Sequence, residues 1–208
     1  MLEKTLENLL KTALLPIGKT MYIYGGGWNE KDTGAGIEAM TLGIDPKWAE
    51  FAQKQDSSYN FKDYDYKQNK EYIHLGLDCS GYIGWLLYNI FQDKGYVDFS
   101  RKIANNLATE NKGKVKKAKY ITEYKAGDIM SGESVSHVWL SLGPCNDGSV
   151  VILHSSPSGV HISGTPTPKG IENSHAIDLA NKYMDKYYPV WNKKYPVKPF
   201  DYLGKYSQ

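Results

Sequence analysis

The sequence predicts a mixed fold of helices and antiparallel strands, and two observations carry that reading. Residues 79–92 place Ile83, Leu86, Leu87, Ile90 and Phe91 at spacings of three and four, the mark of a helix with an apolar face. Further along, SHVWLSL (136–142) and SVVILHSS (149–156) flank the turn-forming GPCNDG, the pattern of an antiparallel hairpin. The chain's 208 residues suffice for one domain with a sizeable core, and 41% hydrophobic with 23% charged residues is an ordinary globular composition.

The remaining elements follow in chain order. Leu2, Leu6, Leu9, Leu10, Ala13 and Leu14 recur at helical spacing and predict a first helix ending near Pro16–Gly18. Charges interrupt that segment, so it lacks the apolar core of about 7–15 residues that a signal peptide needs. No stretch is long and apolar enough for a membrane span. TMYIYGGGWN reads as a short strand closing in a glycine turn. Residues 28–75 read as an insertion or lid, with a helix at Pro46–Gln55 and a tyrosine-rich polar stretch, DSSYNFKDYDYKQNKEY. KGKVKKAKY (112–120) carries five lysines and reads as a solvated face, with attraction to an anionic polymer such as a cell-wall phosphate chain as the alternative. SGVHISG supplies a further short strand, residues 171–188 look helical, and the tail is aromatic and punctuated by proline.

Charge and cysteine content remove several function classes. A net charge of +2 argues against a dedicated nucleic-acid binder. Arg101 is the only arginine, so any bound carboxylate is held by lysine, hydroxyls or backbone amides. The two cysteines, Cys79 and Cys145, form neither a CxxC nor a metal-type cluster, and no cofactor is implied. Whether they join in a disulfide is open from the sequence.

Cys79 is the candidate nucleophile. Asp78 is a preferred N-cap type, which puts Cys79 in the first helical turn, where the helix dipole favours a thiolate. The Asp78 carboxylate opposes that effect, and the first-turn amides offer donors for an oxyanion. For the base, a symmetric hairpin centred on residues 143–148 pairs Leu142 with Ser149 and, in the same register, His137 with His154. His74, His161 and His175 show no such partnership and are read as non-catalytic. A cysteine on an apolar helix face is more often packing than chemistry. The joint pattern of helix-start cysteine and two facing histidines brings the two readings level.

LDCSGYIGWLL resembles the nucleophile motif of the NlpC family of papain-like cell-wall cysteine peptidases. TMYIYGGGW resembles that family's upstream tyrosine-and-glycine segment. AGDIM, HVWLSLG and VILHSSPSGVHIS resemble its later pieces, in the same order. The resemblance implies an α+β, papain-like fold: a nucleophile-bearing helix packed on a central antiparallel sheet, in a single domain over 1–208 with an insertion at about 28–75. It implies Cys79 as nucleophile, His137 as general base and His154 as the third polar residue. Tyr22 would border the nucleophile, and Asp78 and Ser80 would help bind the substrate's free amine. The implied reaction is hydrolysis of a peptidoglycan stem peptide, at the γ-D-glutamyl–diamino acid bond, through a thioester.

The resemblance implies a muropeptide or peptidoglycan partner, and work in the cell envelope, outside the cell, or in cytoplasmic muropeptide recycling. Alternatives on the same residues are an N-acetylmuramoyl-L-alanine amidase, an acyl transferase, or a catalytically inactive cell-wall binding module. The chain departs from the family in one respect: about 50 residues separate the glycines from DCSG, where the family's gap is short.

Overall fold

The computed structural model describes residues 3–28, 36–98, 103–117, 120, 123–132 and 137–200. Helices α1 (Leu6–Leu14), α2 (Pro46–Gln53), α3 (Cys79–Phe91) and α4 (Ile103–Thr109) precede the sheet. Strands β1 (Ile129–Gly132), β2 (His137–Pro144), β3 (Val150–Ser156) and β4 (Gly159–Gly164) follow, then α5 (His175–Tyr187) and α6 (Pro189–Lys194). The four strands form one antiparallel meander in sequence order. The fold is therefore α+β, with α3 packed on β2 and β3, and α5 on β3 and β4.

Helix α3 is the centre of the molecule. Asp78 caps it, its Oδ1 accepting from the Gly81 amide at 2.7 Å, and Gln92 ends it in the left-handed region at φ 51°. The periodicity predicts one apolar face, but every residue from Cys79 to Leu87 is buried. A helix apolar all round is one enclosed on all sides. The Tyr82 hydroxyl donates to the Ala13 carbonyl of α1 at 2.7 Å. On another side, Trp85 Nε1 donates to the Gly43 carbonyl at 2.9 Å, and Asn89 accepts from the Gly43 amide at 2.8 Å.

Those bonds reach into the segment expected to be an insertion or lid. Helix α2 forms where the sequence predicts it, with Asp45 as cap and Pro46 at its first turn. Trp48 is fully buried and, with Phe51 and Ala52, belongs to the main core. Tyr59 and Tyr64 stack at 5.4 Å and both pack against Phe51. The segment thus contributes core side chains as well as surface.

TMYIYGGGWN forms no strand. Met21 makes an isolated parallel bridge to Gly76, and the neighbouring backbone groups go to different partners. The Thr20 carbonyl accepts from the Val160 amide of β4 at 3.0 Å, while the Met21 carbonyl accepts from the Leu77 amide at 3.3 Å. The segment splices the sheet edge to the approach of α3 instead of joining the sheet. Strand β1 and helices α4 and α6 were not expected from the sequence. Residues 113–117 of the lysine-rich segment are exposed, as a solvated face should be.

The β2–β3 hairpin forms, but not in the expected register. Leu140 pairs with Leu153 and Ser141 with Ile152, and a bulge then brings Gly143 opposite Val151 and Pro144 opposite Val150. The loop is 145–149, not 143–148, with the Cys145 amide donating to the Ser149 carbonyl at 2.7 Å. Gly143 takes φ +118° at the bulge, a conformation that suits glycine. Beyond the bulge the register differs from expectation by two residues, which keeps every side chain on its expected face.

Two glycines of α3 give contrasting expectations. A Cβ on Gly81 would be driven into the Gly26 carbonyl oxygen and would lie 3.1 Å from Gly27 Cα, all backbone. On Gly84 the nearest atoms, all in Val97, are 3.6 Å away. Gly81→Ala should lower the urea-unfolding free energy by roughly 1–3 kcal/mol or prevent folding. Gly84→Ala should leave it unchanged or raise it by up to about 1 kcal/mol through helix propensity.

Candidate active site

The start of α3 meets the glycine turn backbone to backbone. The Asp78 amide donates to the Gly26 carbonyl at 3.0 Å, and a Cβ on Gly27 would stand 2.6 Å from Gly81 Cα. On the sheet side, the Ser155 hydroxyl donates to the Leu77 carbonyl at 2.7 Å. Cys79 therefore sits between the glycine turn and the first residues of β2. It is 6% exposed and, like Cys145, a free thiol, which closes the disulfide question. The amides of Val138, Ser80 and Cys79 itself act on its sulfur.

His137 opens β2, immediately before Val138. Its Nε2 lies 3.1 Å from Nδ1 of His154 on β3. The two were expected to face each other directly. Continuing the Leu140–Leu153 register puts His137 level with Ser156, so they meet as diagonal neighbours instead. Alternation divides this strand between two environments. Val138 and Leu140 join the core that holds α3, while Trp139 joins a second cluster with Val150, Ile152 and Phe200. His137 shares the Trp139 side, with ring centroids 5.8 Å apart. Cys79 meets β2 near its start, at Val138, and shares the main core with Val138 and Ile83.

The structure corrects the reading of one other histidine. His161 was expected to lack a facing histidine, but the β3–β4 register sets it directly opposite His154, with ring centroids 4.6 Å apart. His74 pairs instead with an acid, its Nδ1 on the buried carboxylate of Glu38. His175 lies apart, its Nδ1 4.0 Å from Asp147 at the start of α5.

Asp78 and Ser80 flank Cys79 in the chain, and the Tyr22 hydroxyl feels the charge of both Asp78 and Cys79. Asp78 Oδ1 accepts from the Ser80 hydroxyl at 3.0 Å as well as from the Gly81 amide. Met21 and Ile23 are fully buried on one side of their segment, which turns half-buried Tyr22 the other way. Burial and the nearby Asp78 and Cys79 push the Tyr22 hydroxyl pKa well up, so it is a neutral donor. The 28–75 segment holds Tyr22 in place: Phe61 packs edge-on against its ring at 5.4 Å, and the Tyr59 hydroxyl donates to its carbonyl at 2.5 Å.

The electrostatics reverse one expectation. The helix start was expected to depress the Cys79 pKa. Burial and the Asp78 carboxylate instead push it up to about 12, against the opposing amides. Burial, with the charge of His161, pulls His137 down to about 4. His154 is lowered by burial, His161 and His137. His161 falls to about 4 through burial and Lys198, opposed by the Gly159 carbonyl. The resting site is a neutral thiol beside neutral imidazoles.

Sequence reasoning missed His161 and Phe200. The signal for His161 was present, since a hairpin turning at Pro157–Ser158 pairs it with His154. Phe200 had none: it arrives from the C-terminal segment, its ring 4.6 Å from His154 and 5.5 Å from His137. Among the described residues no group of three or more His, Cys, Asp or Glu side chains is arranged to hold a metal ion, and no helix is long and apolar enough to cross a membrane. Comparison with protein-family models, with curated proteins and with solved structures gave no match.

Two outcomes follow from the shifted groups. The folded histidines titrate below the ordinary value of 6.5, so as pH falls below that value the unfolded chain takes up protons first. Stability is full above about pH 6.5 and is lost as pH falls toward about 4. Urea midpoints should fall from pH 7.5 to 5, and less steeply in His161→Phe. For Cys79, iodoacetamide should react more slowly than with a free thiol at pH 7, with a rate still rising above pH 9. Mass spectrometry of the alkylated peptides measures both rates.

Proposed function

We propose that this chain is a cysteine peptidase of the NlpC, papain-like type that hydrolyses peptidoglycan stem peptides, at the γ-D-glutamyl–diamino acid bond. The observation that carries the reading is the juxtaposition at the opening of β2. There a His137–His154 pair, with 3.1 Å between ring nitrogens, adjoins the residue whose amide acts on the Cys79 sulfur. A nucleophile, a base and an orienting group at one strand start are the parts that acyl transfer through cysteine requires. The ordered resemblance of LDCSGYIGWLL and the later segments to that family supplies the substrate class.

His137 uses Nε2 on His154, which leaves Nδ1 as the nitrogen that exchanges protons with the thiol. Because thiol and imidazole rest neutral, the proton moves to His137 as sulfur attacks the carbonyl carbon. The S–C bond forms while the carbonyl electrons move to oxygen, where the first-turn amides of α3 stabilise the oxyanion. His137, now an imidazolium steadied by His154, gives its proton to the leaving nitrogen and the C–N bond breaks. Water, deprotonated by His137, then cleaves the thioester and restores the thiol. Tyr22 donates from the rim. A carboxylate accepts up to about four hydrogen bonds, so Asp78 can cap α3 and still receive a substrate amine. The Tyr59 and Phe61 contacts tie the 28–75 segment to Tyr22.

Digestion of purified muropeptides, with products identified by mass spectrometry, tests the reading. A new diamino-acid N-terminus is expected from the native chain. Cys79→Ala should abolish the reaction, and His137→Ala should reduce it by at least about 10³-fold. Release of intact stem peptide would instead mark an amidase. No product from any muropeptide would overturn the peptidase reading.

A further inference from the structure

We propose that His161 is a positioning residue of this site: with Phe200 it clamps the His154 ring, so that Nδ1 of His154 stays on Nε2 of His137. The chemical purpose of the clamp rests on the peptidase reading, but its geometry does not.

The argument begins with tautomers. For Nδ1 of His137 to take a proton, that neutral ring must carry its own proton on Nε2. The Nε2–H then donates to Nδ1 of His154 across 3.1 Å, and His154 must carry its proton on Nε2. That atom is enclosed and has no hydrogen-bond partner among the described residues. No polar contact on the far side of His154 selects the working orientation. A half-turn about χ2 would place a ring carbon where Nδ1 now meets His137, and the relay would be broken. Packing must do the selecting.

Two rings supply it. His161 stands opposite His154 in the β3–β4 register, at 4.6 Å between centroids and 74° between planes. Phe200 lies 4.6 Å from the same ring at 71°. Both are edge-to-face contacts, the favoured arrangement for aromatic neighbours. Each clamping ring is itself tied down. Ser156 Oγ lies 3.2 Å from His161 Nε2, and Ser156 faces Gly159 where the hairpin turns. The Phe200 amide donates to the Gly164 carbonyl at 2.9 Å, and the Ser163 hydroxyl holds the Lys198 carbonyl at 2.5 Å. A chain of contacts thus runs from the β3–β4 turn through His161, His154 and His137 to the opening of β2.

The clamp also has to be uncharged. His137 and His154 on the neighbouring strands and Lys198 on the C-terminal segment are the ionisable groups that act on this ring or feel it. A protonated His161 would oppose the imidazolium that His137 becomes during the reaction. Burial and Lys198 keep it neutral through the physiological range.

The test uses the whole chain labelled with ¹⁵N-histidine, comparing native protein, His161→Ala and His161→Phe at pH 7. Ring-nitrogen spectra of the native protein should show His137 and His154 each as a single Nε2–H tautomer. In His161→Ala, His154 should become a mixture of tautomers. Its kcat on muropeptide should fall on the order of ten- to a hundredfold, as small misplacements of catalytic groups do, with KM unchanged. His161→Phe, which keeps a ring in place, should restore most of both. A folded His161→Ala protein with an unchanged His154 tautomer overturns the clamp, whatever its activity. If that variant does not fold, native His154 protonated on Nδ1, or present as a mixture, overturns it equally. Spectra that behave as expected in a chain that cuts no muropeptide uphold the clamp and remove the peptidase reading.

Discussion

The site depends on one constraint: two stretches of backbone must touch without side chains between them. Gly26 and Gly27 meet Gly76 and Gly81 so closely that a methyl group at Gly26, Gly76 or Gly81 would run into a carbonyl oxygen, and one at Gly27 into Gly81 Cα. The Asp78 amide bonds across this seam, and Cys79 follows directly. Helix propensity argues against Gly81, and close approach outweighs that cost. Because Met21, next to Tyr22, bonds to Leu77 in the same seam, the positions of Tyr22, Cys79 and the first-turn amides of α3 are set together.

Burial then sets the charge state. A thiol raised and imidazoles lowered from their ordinary values leave Cys79 and the histidines uncharged at rest, next to the Asp78 carboxylate. In the proposed reaction, such a site would take part in proton transfer only as the bond to substrate forms, since separating charge beforehand in that environment is costly. It also ties the chemistry to packing. Among the described residues His154 has a hydrogen-bond partner on one side only, and on the proposed clamp its orientation is inherited from His161 and Phe200. The neutral resting state and the tightly packed rings are consequences of the same enclosure.

Much of this was legible in the residues. The α3 periodicity, the Asp78 cap and the hairpin with His137 and His154 on one face could be read because each depends on neighbours in sequence or on a single turn. The 145–149 loop and the bulge at Gly143 together left the register two residues from expectation, and the pairing was spared only because strand side chains alternate with period two. The 28–75 segment was misjudged for a different reason. Its tyrosines look polar in sequence, yet Tyr59 and Tyr64 pack their rings on Phe51 and put their hydroxyls on the Tyr22 carbonyl and on Gln55. Aromatic residues with a polar tip suit either environment, and only the surrounding contacts choose.

By itself the sequence determined the α+β class, the helix that begins at Cys79, and the face that His137 and His154 share. These follow from local periodicity, capping and turn chemistry. Tertiary structure alone decided that α3 is enclosed on every side, that the thiol is neutral, and that Phe200 reaches the histidines from the far end of the chain. Enclosure and charge state depend on what surrounds a group, and surroundings are assembled from residues as distant as Gly43, Val138 and Phe200. No periodicity within a single stretch encodes them.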